Sequence, residues 1–180
     1  MRLHHASDAR YGRGVLGNRY DSQVCSISRT LEVFGERWTL LIMRNAAFAG
    51  STRFVEFQRS LGIATNVLTA RLAHLVEEGA LERVVGDDGE QAAYRLTEKG
   101  HDLVPALIAL TEWGDRWASP SGAPVLYRHG PDDHPVRTAL VCDECGPLTD
   151  TTEIEALPGP GMPEPQAARL RDRHRARRAA

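Results

Sequence analysis

Two helical patterns separated by a single tight break constrain this sequence more than any other feature. The first pattern places Phe54, Phe57 and Leu61 at i, i+3 and i+7, which is one face of a helix. The second pattern runs over about Thr65 to Glu78, and its apolar residues are Val67, Leu68, Leu72, Leu75 and Val76. Gly62 lies between the two patterns and can end a helix with a positive φ. The sequence therefore predicts a helix, a sharp turn and a second helix.

Two strand patterns follow the second helix directly. Leu81 to Val85 and Ala93 to Thr97 flank the run Gly86-Asp87-Asp88-Gly89, whose Asp-Gly step favours a β-hairpin. A helix, a turn, a helix and a hairpin in this order are typical of a winged helix-turn-helix. We therefore expect an α+β fold, mainly α with a small β-hairpin wing, and we interpret residues 54–97 as a DNA-binding unit.

Polar side chains gather in the N-terminal half of the second helix, away from its leucines. They offer hydroxyls, an amide and a guanidinium, and they are Thr65, Asn66, Thr69 and Arg71. Such groups hydrogen-bond base edges and phosphates, and backbone N–H groups also point outward at a helix start. We predict that these four residues contact DNA and that Arg71 matters most. The alternative is an ordinary amphipathic helix with a polar face.

The tip of the predicted wing is acidic, since it carries Asp87, Asp88 and Glu90. Phosphates would repel these carboxylates, so we assign contact with the DNA backbone to Arg83 and Arg95 on the strands. The acidic tip and the formal net charge of −2 keep a second class of function open. That alternative is a winged-helix protein-interaction module with weak or no DNA binding.

Helices are predicted on both sides of this unit. Before it, Val24 to Phe34 has apolar residues at helical spacing, and another helix begins at Glu36.

After the DNA-binding unit, one long helix is predicted over Glu98 to Ala118, and Pro105 within it should bend it. Its wide apolar stripe comprises Leu103, Val104, Leu107, Ile108, Leu110, Trp113 and Trp117. We expect this stripe to form a homodimer, with packing inside the domain as the alternative. A two-fold dimer would match a palindromic operator.

Composition divides the chain into four segments. We expect a flexible arm over 1–23, the DNA-binding and dimerisation domain over 24–118, a small appended element over 119–157, and a disordered arginine-rich tail over 158–180. In the appended element, residues 125–127 and 136–142 are predicted strands. No apolar run approaches the ~18–20 residues that cross a membrane, and the N-terminus lacks the apolar core of a signal peptide. We therefore expect a cytoplasmic protein with no membrane partner.

Three ordered stretches together resemble one known family. They cover Cys25 to Trp117 and read CSISRTLEVFGERWTLLIM, RFVEFQRSLGIATNVLTARLAHLVEEGALER and YRLTEKGHDLVPALIALTEWGDRW. This region is similar to the HxlR-type winged helix-turn-helix transcriptional regulators, which are related in architecture to the MarR type. The resemblance implies a dimeric bacterial regulator that binds double-stranded operator DNA and has no catalytic residue. The sequence itself shows no nucleophile–base set and no phosphate-binding loop, so we predict no enzymatic activity.

One residue departs from the family pattern at the start of the second helix. The family tends to place a capping serine where this chain has Ala64. Losing a side-chain cap costs about 0.5–2 kcal/mol. We expect Thr65 to take over as the cap.

Cys25 precedes the first helix, where many members of that family carry a cysteine and several are thought to sense oxidants or electrophiles. A helix N-terminus lowers the pKa of a thiol, and we expect Arg29, one turn further on, to add to that effect. A buried, unreactive cysteine is the alternative. We name Cys25 as a redox-sensing candidate that would respond to an oxidant or another small-molecule effector.

Cys142 and Cys145 have the spacing of a zinc knuckle. His129 and His134 lie upstream and would complete a Cys2His2 set for a structural zinc ion. The order of these ligands is unusual, and the sequence has no second Cys-x-x-Cys motif. A reducible disulfide and plain packing therefore stay open as alternatives.

Overall fold

The computed structural model describes residue 20, residues 23–85 and residues 92–178 of the chain. Its helices are α1 (Ser26–Phe34), α2 (Arg37–Phe48), α3 (Phe54–Leu61), α4 (Thr65–Glu77), α5 (Glu98–His101), α6 (Val104–Trp117) and α7 (Glu164–Arg178). Its strands are β1 (Leu81–Val84), β2 (Ala93–Leu96), β3 (Arg128–His129), β4 (His134–Pro135), β5 (Leu140–Cys142) and β6 (Gly146–Leu148). The predicted α+β class is confirmed. Nearly all of the predicted N-terminal arm and the acidic wing tip lie outside the described residues.

Helices α3 and α4 form the predicted helix-turn-helix. Gly62 ends α3 with φ +61°, a conformation that glycine adopts without steric cost, and its N–H donates to the Gln58 carbonyl. The side chains buried between α2, α3 and α4 include Ile42, Met43, Phe57, Leu68, Leu72 and Leu75. Full burial of one such side chain stabilises the fold by roughly 1.5–3 kcal/mol. This apolar contact fixes the orientation of α4 relative to α2.

The wing is a two-stranded antiparallel sheet in which Leu81 pairs with Leu96 and Val84 with Ala93. Arg53, just before α3, adds an isolated antiparallel bridge to Ala93. Leu81 is buried, and the rings of Tyr94 and Phe57 meet edge to face at 6.4 Å. The base of the wing is therefore part of the same core as α3 and α4.

The single long helix predicted over Glu98 to Ala118 is wrong, because the structure divides it into α5 and α6. Thr97 caps α5, since its hydroxyl oxygen accepts from the Gly100 N–H at 3.1 Å. Pro105 lies in the first turn of α6. A proline at this position gives up an N–H that has no partner within the helix, so it starts a helix here instead of bending one.

The wide apolar stripe of the predicted helix is divided between two environments. Leu107 and Ile108 are buried, at 6% and 9% exposure. Leu110, Trp113 and Trp117 point outward and remain 55%, 64% and 65% exposed. The inward residues belong to the domain core, and the outward residues form an uncovered apolar face of α6.

The appended element begins as two short hairpins, β3–β4 and β5–β6. This corrects the prediction of one strand over 125–127 and another over 136–142. Tyr127 attaches the element to the domain, because its ring lies 4.5 Å from that of Phe48. Glu112 on α6 also accepts hydrogen bonds from the backbone N–H and hydroxyl of Thr138.

The prediction of a disordered tail is wrong over Glu164–Arg178, which forms α7. Ala167 is only 3% exposed, so this helix packs against the rest of the chain. Glu155 contacts both His174 and Arg178, at 3.3 and 3.5 Å. Among the described helices, none is long and apolar enough to cross a bilayer.

Candidate nucleic-acid interface

Helix α4 has one buried face and one open face. Leu68, Leu72 and Leu75 are at most 1% exposed and hold the helix against the core. His74 adds a polar contact, because its Nε2 lies 3.0 Å from the Val33 carbonyl at the end of α1. The N-terminal half of α4 faces solvent, and its exposed residues include Thr65, Asn66 and Thr69.

The N-terminus of α4 has no side-chain cap. Its N-cap residue is Ala64, which cannot accept a hydrogen bond through its side chain. Thr65 is the first helical residue, so the expectation that Thr65 takes over as the cap is wrong. Backbone N–H groups in the first turn of a helix point outward without intrahelical partners and favour anions. The helix start is therefore suited to a phosphate.

Gln58 is a residue of this surface that sequence reasoning missed. Its side-chain amide donates to the Thr65 hydroxyl oxygen at 2.7 Å, which joins α3 to the start of α4 across the turn. Because Thr65 accepts this bond, its own O–H can donate to another group. The Thr69 hydroxyl instead donates to the Thr65 carbonyl at 2.8 Å. The sequence signal for this contact is that Gln58 and Thr65 lie on either side of Gly62. A tight turn at that glycine brings the last turn of α3 close to the first turn of α4.

Arg71 does not lie with the other three predicted contacts. Its Nη2 atom is 3.3 Å from Oε2 of Glu36, the N-cap residue of α2, and its side chain is 29% exposed. Its Nε atom is buried and has no hydrogen-bond partner within the described part of the chain. Residues 71 and 75 are about 40° apart around a helix, so Arg71 borders the buried face. This geometry favours a structural role for Arg71 over the predicted contact with DNA.

The two predicted wing arginines are both exposed but are directed to opposite faces of the hairpin. Arg83 pairs with Tyr94, and Arg95 pairs with Glu82. Directly paired residues share a face, and neighbours along a strand alternate. Arg83 and Arg95 therefore cannot present to one DNA strand through the same face of the wing.

Cys25 is the N-cap residue of α1 and is exposed, which excludes the buried alternative. Hydrogen bonds from the backbone N–H groups of Ser28 and Ile27 lower the pKa of its thiol. Arg29 does not contribute as expected, because its guanidinium binds the Glu32 carboxylate at 2.7 and 2.9 Å. The position predicts a thiol with increased thiolate character.

The four predicted zinc ligands are divided between two hairpins. Cys142 and Cys145 lie at the β5–β6 turn, whereas His129 and His134 pair with each other in β3–β4. The backbone N–H groups of Cys145 and Glu144 lower the pKa of Cys142. Over residues 23–85 and 92–178, no group of three or more His, Cys, Asp or Glu side chains is arranged to hold a metal ion. The residues as placed do not fit the predicted four-ligand zinc site.

Known proteins are similar to this chain in sequence, and two solved structures are similar to it in fold as well. Rv3095 of Mycobacterium tuberculosis, an uncharacterized HTH-type transcriptional regulator, is 41% identical over 149 residues, covering 82% of this chain and 92% of Rv3095. The crystal structure of PA1607, a proposed transcription factor, is 37% identical, with a TM-score of 0.70 over 78% of this chain and 99% of PA1607. PA1374 from Pseudomonas aeruginosa, also a proposed transcription factor, is 37% identical, with a TM-score of 0.57 over 81% and 99% of the two chains.

The family profile gives the same result as these relatives. The HxlR-like helix-turn-helix profile matches residues 33–122, which contain α2 to α6 and the whole helix-turn-helix. With this match, the chain belongs to the HxlR-like helix-turn-helix family of transcriptional regulators.

Proposed function

We propose that the chain is a sequence-specific DNA-binding regulator that places the N-terminal half of α4 in the major groove of an operator. The observation that carries this proposal is the uncapped, solvent-facing start of α4 above a fully buried leucine face. A helix held in this way can enter a groove without giving up its packing. A recognition helix contacts base edges with residues near its N-terminus.

Asn66 is the best candidate for reading a base. Its side chain is exposed in the first turn of α4, and an asparagine amide can form two hydrogen bonds to the edge of adenine. We assign the Thr65 hydroxyl to a phosphate, because the hydrogen bond that it accepts from Gln58 leaves its O–H as a donor. Thr69 is exposed one turn further along and can offer its methyl group to a thymine methyl.

We propose a homodimer, which would bring two copies of α4 to the two halves of a palindromic operator. Exposed apolar side chains support it on α6, where Leu110, Trp113 and Trp117 share a face. Ile27 and Leu31 on α1 are also 69% and 44% exposed. Large uncovered apolar faces on a folded domain mark surfaces that bind other proteins.

The experiment that tests this function selects bound fragments from random duplex DNA with the purified chain. We expect one palindromic sequence to be enriched. Asn66→Ala should weaken binding to that sequence by about 1–3 kcal/mol and relax specificity at one base pair. Thr149→Ala, at an exposed polar residue of the appended element, is the control. Recovery of no common sequence would remove the proposal and favour the protein-interaction module, whereas equal binding by the Asn66 variant would remove Asn66 as a base contact.

A redox response through Cys25 is a second candidate, favoured by its exposure and by the lowered pKa of its thiol. A thiolate is the form that reacts with oxidants and electrophiles. Treatment with diamide should release the operator from the parent chain and leave the Cys25→Ser complex intact. The Cys142→Ser variant is the control. An equal response of the parent and Cys25→Ser would exclude this mechanism.

A further inference from the structure

Helix α7 is held to the rest of the chain by one face only. Ala167 is 3% exposed, and Leu170, Arg171 and His174 on the same side are half-buried. His174 contacts Glu155 at 3.3 Å between Nδ1 and Oε2. These contacts fix the helix so that its opposite face is directed to solvent.

The exposed surface of α7 carries a row of three arginines that begins opposite Ala167 and ends at the edge of the packed face. Arg169, Arg173 and Arg177 are all exposed and lie four residues apart. At 3.6 residues per turn, they follow one another about 40° apart around the helix and extend over about 12 Å of its length. They therefore form a single strip of positive charge, which we call the arginine row.

The arginine row differs from the other arginines of α7 in having no carboxylate partner. Arg171 pairs with Glu164, Arg175 with Asp172 at 3.2 Å, and Arg178 with Glu155 at 3.5 Å. No ion pair or hydrogen bond involves an arginine-row side chain within the described part of the chain. Its charge is therefore available to a partner.

The row is positive, so its partner is negatively charged, and the net charges along the chain show how far α7 stands apart from the other residues. Helix α7 has six arginines and two carboxylates, a net charge of +4. Because the whole chain has a net charge of −2, the other residues together carry −6. Residues 24–118, which contain the recognition helix, have ten Lys and Arg against thirteen Asp and Glu. Attraction to a polyanion must therefore come from local surfaces, and α7 is the most basic of the described helices.

We infer that the arginine row is a second DNA-binding surface, one that binds the phosphate backbone outside the contacts of α4. Guanidinium groups bind phosphate oxygens strongly, and such contacts carry no sequence information. This inference rests on the proposed function, because it assigns the row to the DNA that α4 reads. The row raises the affinity for any duplex, and α4 supplies the choice of sequence.

The test measures binding of the full chain to a random-sequence duplex as a function of salt. The variant Arg169→Gln, Arg173→Gln, Arg177→Gln removes the row. The control Arg171→Gln, Arg175→Gln, Arg178→Gln removes the same charge from the same helix, but from guanidinium groups that already have carboxylate partners. Far-UV circular dichroism checks that both variants keep the helix content of the parent.

We expect the salt dependence of DNA binding to be smaller in the row variant and unchanged in the control variant. The slope of log affinity against log salt changes by about 0.9 for each phosphate neutralised, so three contacts predict a change of about 2.7 per chain. When salt rises from about 50 to 200 mM, the affinity of the row variant for duplex should therefore fall by a factor about 40 times smaller than the factor for the parent. An equal loss in both variants, an unchanged slope in the row variant, or failure of the parent to bind any duplex would overturn the inference.

Two further outcomes separate this inference from the proposed function. If the parent binds random duplex through the row but selects no operator sequence, the proposed function fails and the row remains a DNA-binding surface. If the row governs capture on immobilised poly-glutamate and has no effect on duplex, its partner is an acidic protein surface, and the inference is overturned.

Discussion

Arg71 offers the sharpest test of how the recognition helix is built. The sequence favours it as the leading DNA contact, whereas the structure places it against Glu36 beside the core. The informative perturbation compares Arg71→Met, which keeps the apolar stem, with Arg71→Ala, which removes it. Both variants lack the guanidinium, which is the group that could contact DNA. Only Arg71→Ala also lacks the apolar stem.

The expected magnitudes follow from the surroundings of the side chain. Arg71→Ala removes two methylene groups, each contributing about 0.8 kcal/mol when fully buried. With a side chain 29% exposed, about 1 kcal/mol of this contribution applies. The ion pair to Glu36, which is 57% exposed, adds at most about 1 kcal/mol. Both variants lose this ion pair and the buried Nε, and only Arg71→Ala also loses the stem, so we expect the free energy of unfolding of Arg71→Ala to be about 1 kcal/mol lower than that of Arg71→Met.

Arg71→Met should behave differently. It loses the ion pair but also removes the buried Nε donor, which has no partner within the described part of the chain. A buried unsatisfied donor costs about 1–3 kcal/mol, so the free energy of unfolding should equal or exceed that of the parent.

Urea denaturation measures these stabilities, and titration of operator DNA at matched salt measures binding. We expect folded Arg71→Met to bind the operator with nearly parental affinity, and Asn66→Ala to keep parental stability while losing affinity. A loss of about tenfold or more in operator affinity for a fully folded Arg71→Met, equal to about 1.4 kcal/mol, would refute the structural role. It would restore Arg71 as a DNA contact.

Three further predictions concern packing, assembly and reactivity. Gly100→Ala should destabilise the domain by about 1–3 kcal/mol or more in thermal unfolding, because its Cβ would lie 2.2 Å from the Ala80 carbonyl oxygen. The control Gly114→Ala has open space around its Cβ and should be neutral or stabilising. Equal effects of the two substitutions would contradict this packing. Trp113→Gln should raise the dimer dissociation constant in sedimentation experiments, whereas the control Leu126→Gln should not, and a parental dimer in the Trp113 variant would exclude this face of α6. With Cys142 and Cys145 replaced by serine, the rate of Cys25 alkylation should reach half its maximum at a pH below the ordinary thiol pKa of about 8.5, because the pKa of Cys25 is lowered. The rate should fall as the pH drops through that lowered pKa. A rate that rises only near the ordinary pKa would argue against an activated thiol.

Local sequence patterns were sufficient for the elements whose chemistry is local. Gly62 ends α3 in the left-handed conformation, and Thr97 caps α5, as their residue types predict. The helix-turn-helix and its wing also follow from periodicity, because one-sided apolar spacing needs no knowledge of a distant partner. The errors occurred where one residue type serves two structural roles. Pro105 could bend a helix or begin one, and the choice depended on where α5 ends.

Side-chain partners distant in sequence decided the remaining features. The disordered tail was an expectation from composition alone. Helix α7 is instead stabilised by burial of Ala167 and by polar contacts to Glu155, a residue that lies outside the helix. The predicted zinc ligands are close in sequence, yet hairpin pairing places His129 opposite His134 and separates both from the Cys142–Cys145 turn. Spacing alone does not fix the relative position of two hairpins.

The sequence by itself determined the helix-turn-helix and the stretch of α4 that faces outward, because apolar periodicity specifies which face of a helix must be buried. Only the tertiary structure decided the roles of the residues bordering that face. Thr65 acquired Gln58 as a partner, Arg71 was taken up by Glu36, and the apolar stripe of α6 was divided between core and solvent. Each of these outcomes depends on which group from a distant segment arrives within hydrogen-bond or contact distance. That information is held in the packing of the helices and is absent from the order of residues along any one of them.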